Sequence, residues 1–188
     1  MTDKERFKKL LLKNFVHEPT LGQAKLIKQL TAFAFSEKDN CVFLLKGYAG
    51  TGKTSIVGAL VNTLPTFKIN YLLMAPTGRA AKVLSNYSRK SAFTVHKKIY
   101  KPKTDKENGG AMFVLQPNKY ENTIFIVDES SMIGDGGSPQ EGGVGTARSL
   151  LDDLLEFTIS GKNCKLLFIG DTAQLPPVGL DQSPALNL

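Results

Sequence analysis

Apolar positions along this chain alternate between two regimes. Predominantly apolar runs at 41–45, 69–75, 124–127 and 165–169 have the length and residue types of strands buried on both faces. Between them the spacing turns helical. Phe7, Leu10, Leu11 and Phe15 form one stripe, and Leu26, Ile27, Leu30, Phe33 and Ala34 form a second. Thr20-Leu21-Gly22-Gln23 reads as a capping box opening that second helix. Segments 55–64, 79–84 and 149–157, the last with Leu150, Leu151, Leu154 and Leu155, are predicted helices. Strands alternating with helices predict an α/β fold with a mainly parallel sheet and ligands at the strand C-terminal ends. Two segments break the alternation. Residues 100–120 are lysine-rich as far as Gly109-Gly110, then apolar through Met112-Phe113-Val114-Leu115, which predicts a small inserted hairpin. Residues 134–145 hold six glycines and a proline, which predicts a mobile loop.

At 188 residues and 41% hydrophobic, the chain can bury one sizeable core, with room for a small insertion. No apolar stretch approaches the roughly 20 residues of a membrane span, and Met1 to Arg6 lack a signal-peptide pattern, so a cytoplasmic protein without a membrane partner is expected. Cys41 and Cys164 each adjoin a strand candidate and are expected as buried, reduced thiols. With only two histidines beside them, they argue against a resident metal centre. A net charge of +7 points to an anionic partner. Arg89, Lys90, Lys97, Lys98, Lys101, Lys103 and Lys106 cluster with only Asp105 of opposite sign among them. Lys4, Arg6, Lys8, Lys9 and Lys13 read instead as the solvated face of the first helix.

The chemistry concentrates after the strands. Gly47-Tyr48-Ala49-Gly50-Thr51-Gly52-Lys53-Thr54 matches G-x-x-x-x-G-K-[ST], between an apolar run and a helix-forming segment that opens with Ser55. Glycines let successive N–H groups turn inward on phosphate oxygens, and the following helix adds its positive end. Lys53 supplies a mobile charge for β- and γ-phosphates, and the Thr54 hydroxyl is a hard ligand suited to Mg²⁺. This predicts a nucleoside triphosphate site. Ile126-Val127-Asp128-Glu129 then delivers two carboxylates from a strand end, Asp128 suited to Mg²⁺ and Glu129 to orienting or deprotonating a water.

A third element, Gly170-Asp171-Thr172-Ala173-Gln174-Leu175-Pro176-Pro177-Val178, resembles motif III of superfamily 1 helicases. Ala75-Pro76-Thr77-Gly78-Arg79-Ala80-Ala81 resembles motif Ia of the RecD-like, superfamily 1B branch, and Ala92-Phe93-Thr94-Val95-His96 resembles its Ala-x-Thr-Ile-His element. Asp128-Glu129-Ser130-Ser131-Met132 resembles its motif II. The four occur in the family's order, and the resemblance covers roughly residues 18–187.

The resemblance implies a three-layer RecA-like phosphate-loop fold, the first motor lobe of an ATP-dependent DNA helicase moving 5′→3′ on single-stranded DNA, with ATP and Mg²⁺ as cofactors. It assigns Gln23 to adenine, with capping as that residue's other reading. Gln174 is assigned to the γ-phosphate, and Pro76, Thr77 and His96 to single-stranded DNA, with Lys97 and Lys98 beside them. It divides the chain into an N-terminal helical segment at 1–40 and the motor lobe at 41–188, with 98–122 where the family inserts a small subdomain. Nothing after Val178 resembles the family's later motifs. A second RecA-like lobe, from the same gene product or a partner chain, is therefore expected to complete the site, and this chain alone is expected to bind nucleotide and hydrolyse it poorly. Two other classes stay open: a nucleotide-binding lobe that works only with its partner, and a metabolite kinase, which has no use for the 170–178 motif.

Overall fold

The computed structural model describes residues 1–38, 41–104, 111–134, 149–171 and 183–187. Gln174 and nearly all of the glycine-rich segment lie outside them.

Helices α1 (Asp3–Asn14) and α2 (Leu21–Ala34) come first, each opened by a capping box: Thr2 with Glu5, and Thr20 with Gln23. Strand β1 (Val42–Lys46) feeds the phosphate loop and α3 (Lys53–Thr63). Next come β2 (Asn70–Ala75), α4 (Gly78–Ser88), β3 (Ala92–Thr94) and the single-turn α5 (Val95–Ile99). Strands β4 (Tyr100–Thr104) and β5 (Ala111–Leu115) form the inserted antiparallel hairpin, with Tyr100 opposite Leu115. The chain then returns through β6 (Thr123–Val127), α6 (Leu150–Ile159) and β7 (Lys165–Gly170).

Five strands pair in the order β1-β7-β6-β2-β3, every pair parallel. Strand alternation sorts the core into two layers. On one face Leu73, Ile124, Ile126, Leu167 and Ile169 meet Phe7, Leu11, Ile27, Leu30, Ile56, Leu60 and Leu84 from α1 to α4. On the other, Met74, Phe125, Val127, Leu166 and Phe168 meet Val95, Ile99, Leu151, Leu154 and Phe157 from α5 and α6. Each such side chain, fully buried, contributes on the order of 1.5–3 kcal/mol before conformational entropy is charged against it. Helices on both faces of a parallel sheet, with a hairpin inserted, give the α/β architecture expected from the alternation and the three layers implied by the resemblance. Among the described residues no helix is long and apolar enough to cross a membrane.

The structure corrects three details. Strand β1, expected to be buried on both faces, is the edge of the described sheet, with Val42 and Lys46 exposed. Cys41, just before it, is only half-buried, whereas Cys164 is buried and burial raises its thiol pKa; both are free thiols. The helix expected at 79–84 continues to Ser88, and β3 and α5 follow it within a stretch too short for either period to register.

Candidate nucleotide site

The phosphate loop is tied to the sheet before it turns: Gly47 N–H donates to the carbonyl of Gly170 at 3.2 Å, joining the ends of β1 and β7. Thr51 closes the turn, its N–H and hydroxyl both donating to the Tyr48 carbonyl at 3.3 and 2.7 Å. Gly50 at φ +77° and Gly52 at φ +87° occupy the left-handed region that side chains resist. Gly52 is the N-cap of α3 and offers no side-chain acceptor, so the first amides of that helix face the loop with their dipole end available to an anion. The Lys53 ammonium folds back to donate to the carbonyls of Gly47 and Tyr48, the latter at 2.9 Å, and lies 3.8 Å from Asp171 Oδ2.

Asp128 is placed by the sheet itself. Its N–H donates to the Met74 carbonyl at 3.0 Å, extending the β6–β2 ladder by one residue. Glu129 then turns the chain sharply, at φ 54° and ψ 34°, and its N–H donates back to Asp128 Oδ1 at 3.0 Å. The Ser130 hydroxyl fastens the turn to β7 through the Ile169 carbonyl at 2.9 Å. On the opposite wall, Tyr87 of α4 donates its phenol proton to Asp128 Oδ2, and Thr54 lines the same cleft. Burial, followed by the Asp128 charge, pushes the Tyr87 pKa far above its ordinary value, so the phenol is a donor at any ordinary pH.

These groups share one cleft of about 910 Å³, lined by Ala49, Gly50, Gly52, Lys53, Thr54, Ser55, Thr77, Arg79, Tyr87, Asp128, Glu129 and Asp171. The phosphate loop and the carboxylate pair, far apart in sequence, thus face the same space. A second cavity, of about 750 Å³, flanks the loop on its other side, with Gln23, Leu26, Leu44, Lys46, Gly47 and Tyr48 in its wall. The Gln23 amide spans two elements: Oε1 accepts from Thr20 N–H at 3.0 Å, and Nε2 donates to the Thr51 carbonyl at 3.1 Å. The capping role of Gln23 is therefore realised, and one amide N–H remains for a further acceptor.

The residues present fit a magnesium nucleotide. Thr54 and Asp128 offer hard oxygens in one cleft, and among the described residues no three His, Cys, Asp or Glu side chains gather into a cage of their own. Mg²⁺ binds through one or two protein oxygens plus phosphates and water, which these two side chains can supply.

The residues assigned to DNA divide. Thr77 caps α4, its hydroxyl accepting from Ala80 N–H at 3.2 Å, and lines the cleft next to Pro76. His96, Lys97 and Lys98 sit on α5 and line neither cavity. Lys98 Nζ lies 3.8 Å from the centre of the Phe93 ring, and His96 is tilted against Tyr100 with ring centres 5.6 Å apart. Sequence reasoning gave no site role to three polar residues of the cleft, Arg79, Tyr87 and Asp171. Asp171 carried a signal, because it follows a buried strand as Asp128 does. Tyr87 carried none.

A family model described as an AAA domain matches residues 29–180. The chain is 34% identical over 136 residues to the ATP-dependent RecD2 DNA helicase of Deinococcus radiodurans, covering 72% of this chain and 16% of that protein. It is 34% identical over 149 residues to the ATP-dependent DNA helicase dda of Enterobacteria phage T4, covering 77% of this chain and 30% of that protein. The chain therefore spans less than a third of either curated relative. Among solved structures, the large terminase of bacteriophage HK97 superposes with a TM-score of 0.51 over 90% of this chain and 38% of its own. At 14% identity the likeness is one of fold.

Proposed function

The chain belongs to this AAA domain family and is a RecA-like motor domain of the superfamily 1 helicase type; from that premise we propose that it is the ATP-binding lobe of a helicase that couples hydrolysis to 5′→3′ movement on single-stranded DNA and to duplex unwinding. The observation that carries this reading is the single cleft shared by the phosphate loop and the Asp128-Glu129 pair.

In it, the loop amides from Gly47 to Ser55 and the α3 N-terminus hold phosphate oxygens. Lys53 exchanges the carbonyls of Gly47 and Tyr48 for the β- and γ-phosphates. Thr54 and Asp128 hold Mg²⁺, which when bound neutralises phosphate charge. Glu129 orients and deprotonates the attacking water, and Gln174 relays the γ-phosphate state to the DNA path. Gln23 reads the adenine edge with its remaining amide N–H. Pro76, Thr77, His96, Lys97 and Lys98 hold the strand, with the hairpin within residues 98–122 next to them as an inserted subdomain. Residues 1–40 form the helical segment carrying Gln23, and 41–188 the lobe.

A second RecA-like lobe, from the same gene product or a partner chain, supplies the arginine that stabilises charge on the transferred phosphoryl group. Such a residue is worth about 10³–10⁵ in rate in related hydrolases. The chain by itself, in the cytoplasm or in vitro, therefore binds ATP and turns it over slowly. ATP turnover measured with and without single-stranded DNA tests the reading: measurable affinity with little turnover is expected, and strong DNA stimulation of the isolated chain would refute the need for a second lobe. Replacing Lys97, Lys98, Lys101 and Lys103 with Ala should flatten the salt dependence of single-strand binding, its log–log slope falling by about 0.7 for each phosphate that is no longer neutralised. An unchanged slope removes these lysines from the strand path.

A further inference from the structure

Tyr87 is a cleft side chain hydrogen-bonded to Asp128, one of the two hard-oxygen groups. It lies on the α4 face marked by Thr77, Ala80, Val83 and Tyr87, spaced three or four residues apart, which turns this stripe of the helix toward the cleft. Its phenol has one proton, and that proton goes to Asp128 Oδ2. That bond bears on a cation. Asp128, held through Oδ1 by Glu129 N–H at 3.0 Å and through Oδ2 by Tyr87, is fixed in one rotamer with a lone pair left on each oxygen.

We propose that Tyr87 is a positioning residue for the divalent cation that accompanies the nucleotide, presetting Asp128 at the end of β6 before it meets the metal. The inference rests on the reading of Thr54 and Asp128 as the cation's protein ligands. Because Tyr87 acts through Asp128 and not on the phosphates, its removal should change the Mg²⁺ requirement of nucleotide binding and leave Mg²⁺-free binding alone. A residue that only packed α4 against the sheet would affect both alike.

The test is a fluorescent ADP analogue bound to the purified chain in EDTA and across a Mg²⁺ titration, for the wild type, Tyr87→Phe and Tyr87→His. The ratio of the two affinities within each variant cancels any loss of folded protein. Residues that orient metal ligands typically carry 10–100-fold in metal affinity. Tyr87→Phe, which keeps the ring and loses the oxygen, should therefore raise the Mg²⁺ concentration for half-effect by about tenfold or more, with EDTA affinity within about twofold of wild type. Tyr87→His, which keeps a ring donor, should fall between. A Tyr87→Phe titration that coincides with wild type, or an equal loss with and without Mg²⁺, overturns the proposal while leaving the ligand assignment intact. A wild-type chain whose nucleotide affinity ignores Mg²⁺ overturns both.

Discussion

The two ends of the sheet each bury a charge, and they use it differently. At the C-terminal end, Asp171 is 5% exposed and faces Lys53 at 3.8 Å across the mouth of the cleft. At the N-terminal end, Lys165, the first residue of β7, is 4% exposed and donates to the carbonyl of Ala34, the last residue of α2, at 3.1 Å. A helix C-terminus is the electronegative end of its dipole, so it can hold a cation, but burial still lowers the Lys165 pKa. The first charge belongs to a group of side chains that open on a cavity able to take a ligand. The second pins a helix to a strand 131 positions away. Burial alone therefore does not mark a functional charge; what separates the two is whether the surrounding polar atoms converge on open space.

If that distinction holds, changes at one end should move ligand binding and changes at the other should move stability. The largest effect is expected for Lys53→Ala. Loss of charge-assisted bonds worth about 1.5–3 kcal/mol should weaken nucleotide binding by about 10–150-fold, read by fluorescence titration. Gly52→Ala comes next and tests whether the loop end also carries structural strain. Its backbone sits at φ +87°, and an added Cβ would lie 2.7 Å from Gln23 Nε2. A left-handed alanine costs about 1–2 kcal/mol, so the melting temperature should fall by several degrees. In the Gln23→Ala background the same change should cost less, because the clashing atom is gone.

Lys165→Met is the smallest change and the sharpest test of the other end. The Lys165 pKa is lowered in the fold, so between that value and the ordinary 10.5 the unfolded chain holds the extra proton. Wild-type stability should then rise with pH across this interval. The methionine variant should lose that rise in denaturant titrations from pH 7 to 10, with nucleotide affinity within about twofold of wild type. A nucleotide defect in Lys165→Met would erase the contrast between the two ends.

Much of the cleft was legible because its chemistry is local. Eight consecutive residues specify the phosphate loop, and one buried run ending in Asp128-Glu129 specifies the carboxylates. Strands β6 and β7 were equally plain, since burial on both faces leaves no polar position to interrupt the run. Tyr87 was not, because it meets Asp128 across 41 positions and only if α4 continues a full turn beyond Leu84. Nor could an apolar run reveal that β1 lies at an edge, since pairing order is a property of the assembled sheet. The segment 92–96 was visible as a motif yet silent as structure: three residues of strand and one turn of helix are shorter than either period needs to declare itself.

The slot between Gly52 and Gln23 bears on how this site could be moved or rebuilt. Gln23 Nε2 occupies the space that any side chain at position 52 would claim, while the same amide holds the Thr51 carbonyl and the Thr20 N–H. Grafting residues 47–54 into another scaffold would therefore carry over the sequence of the phosphate loop without one of its walls. The smallest portable unit is the loop together with the first turn of α2, two pieces of chain that fit only as a pair.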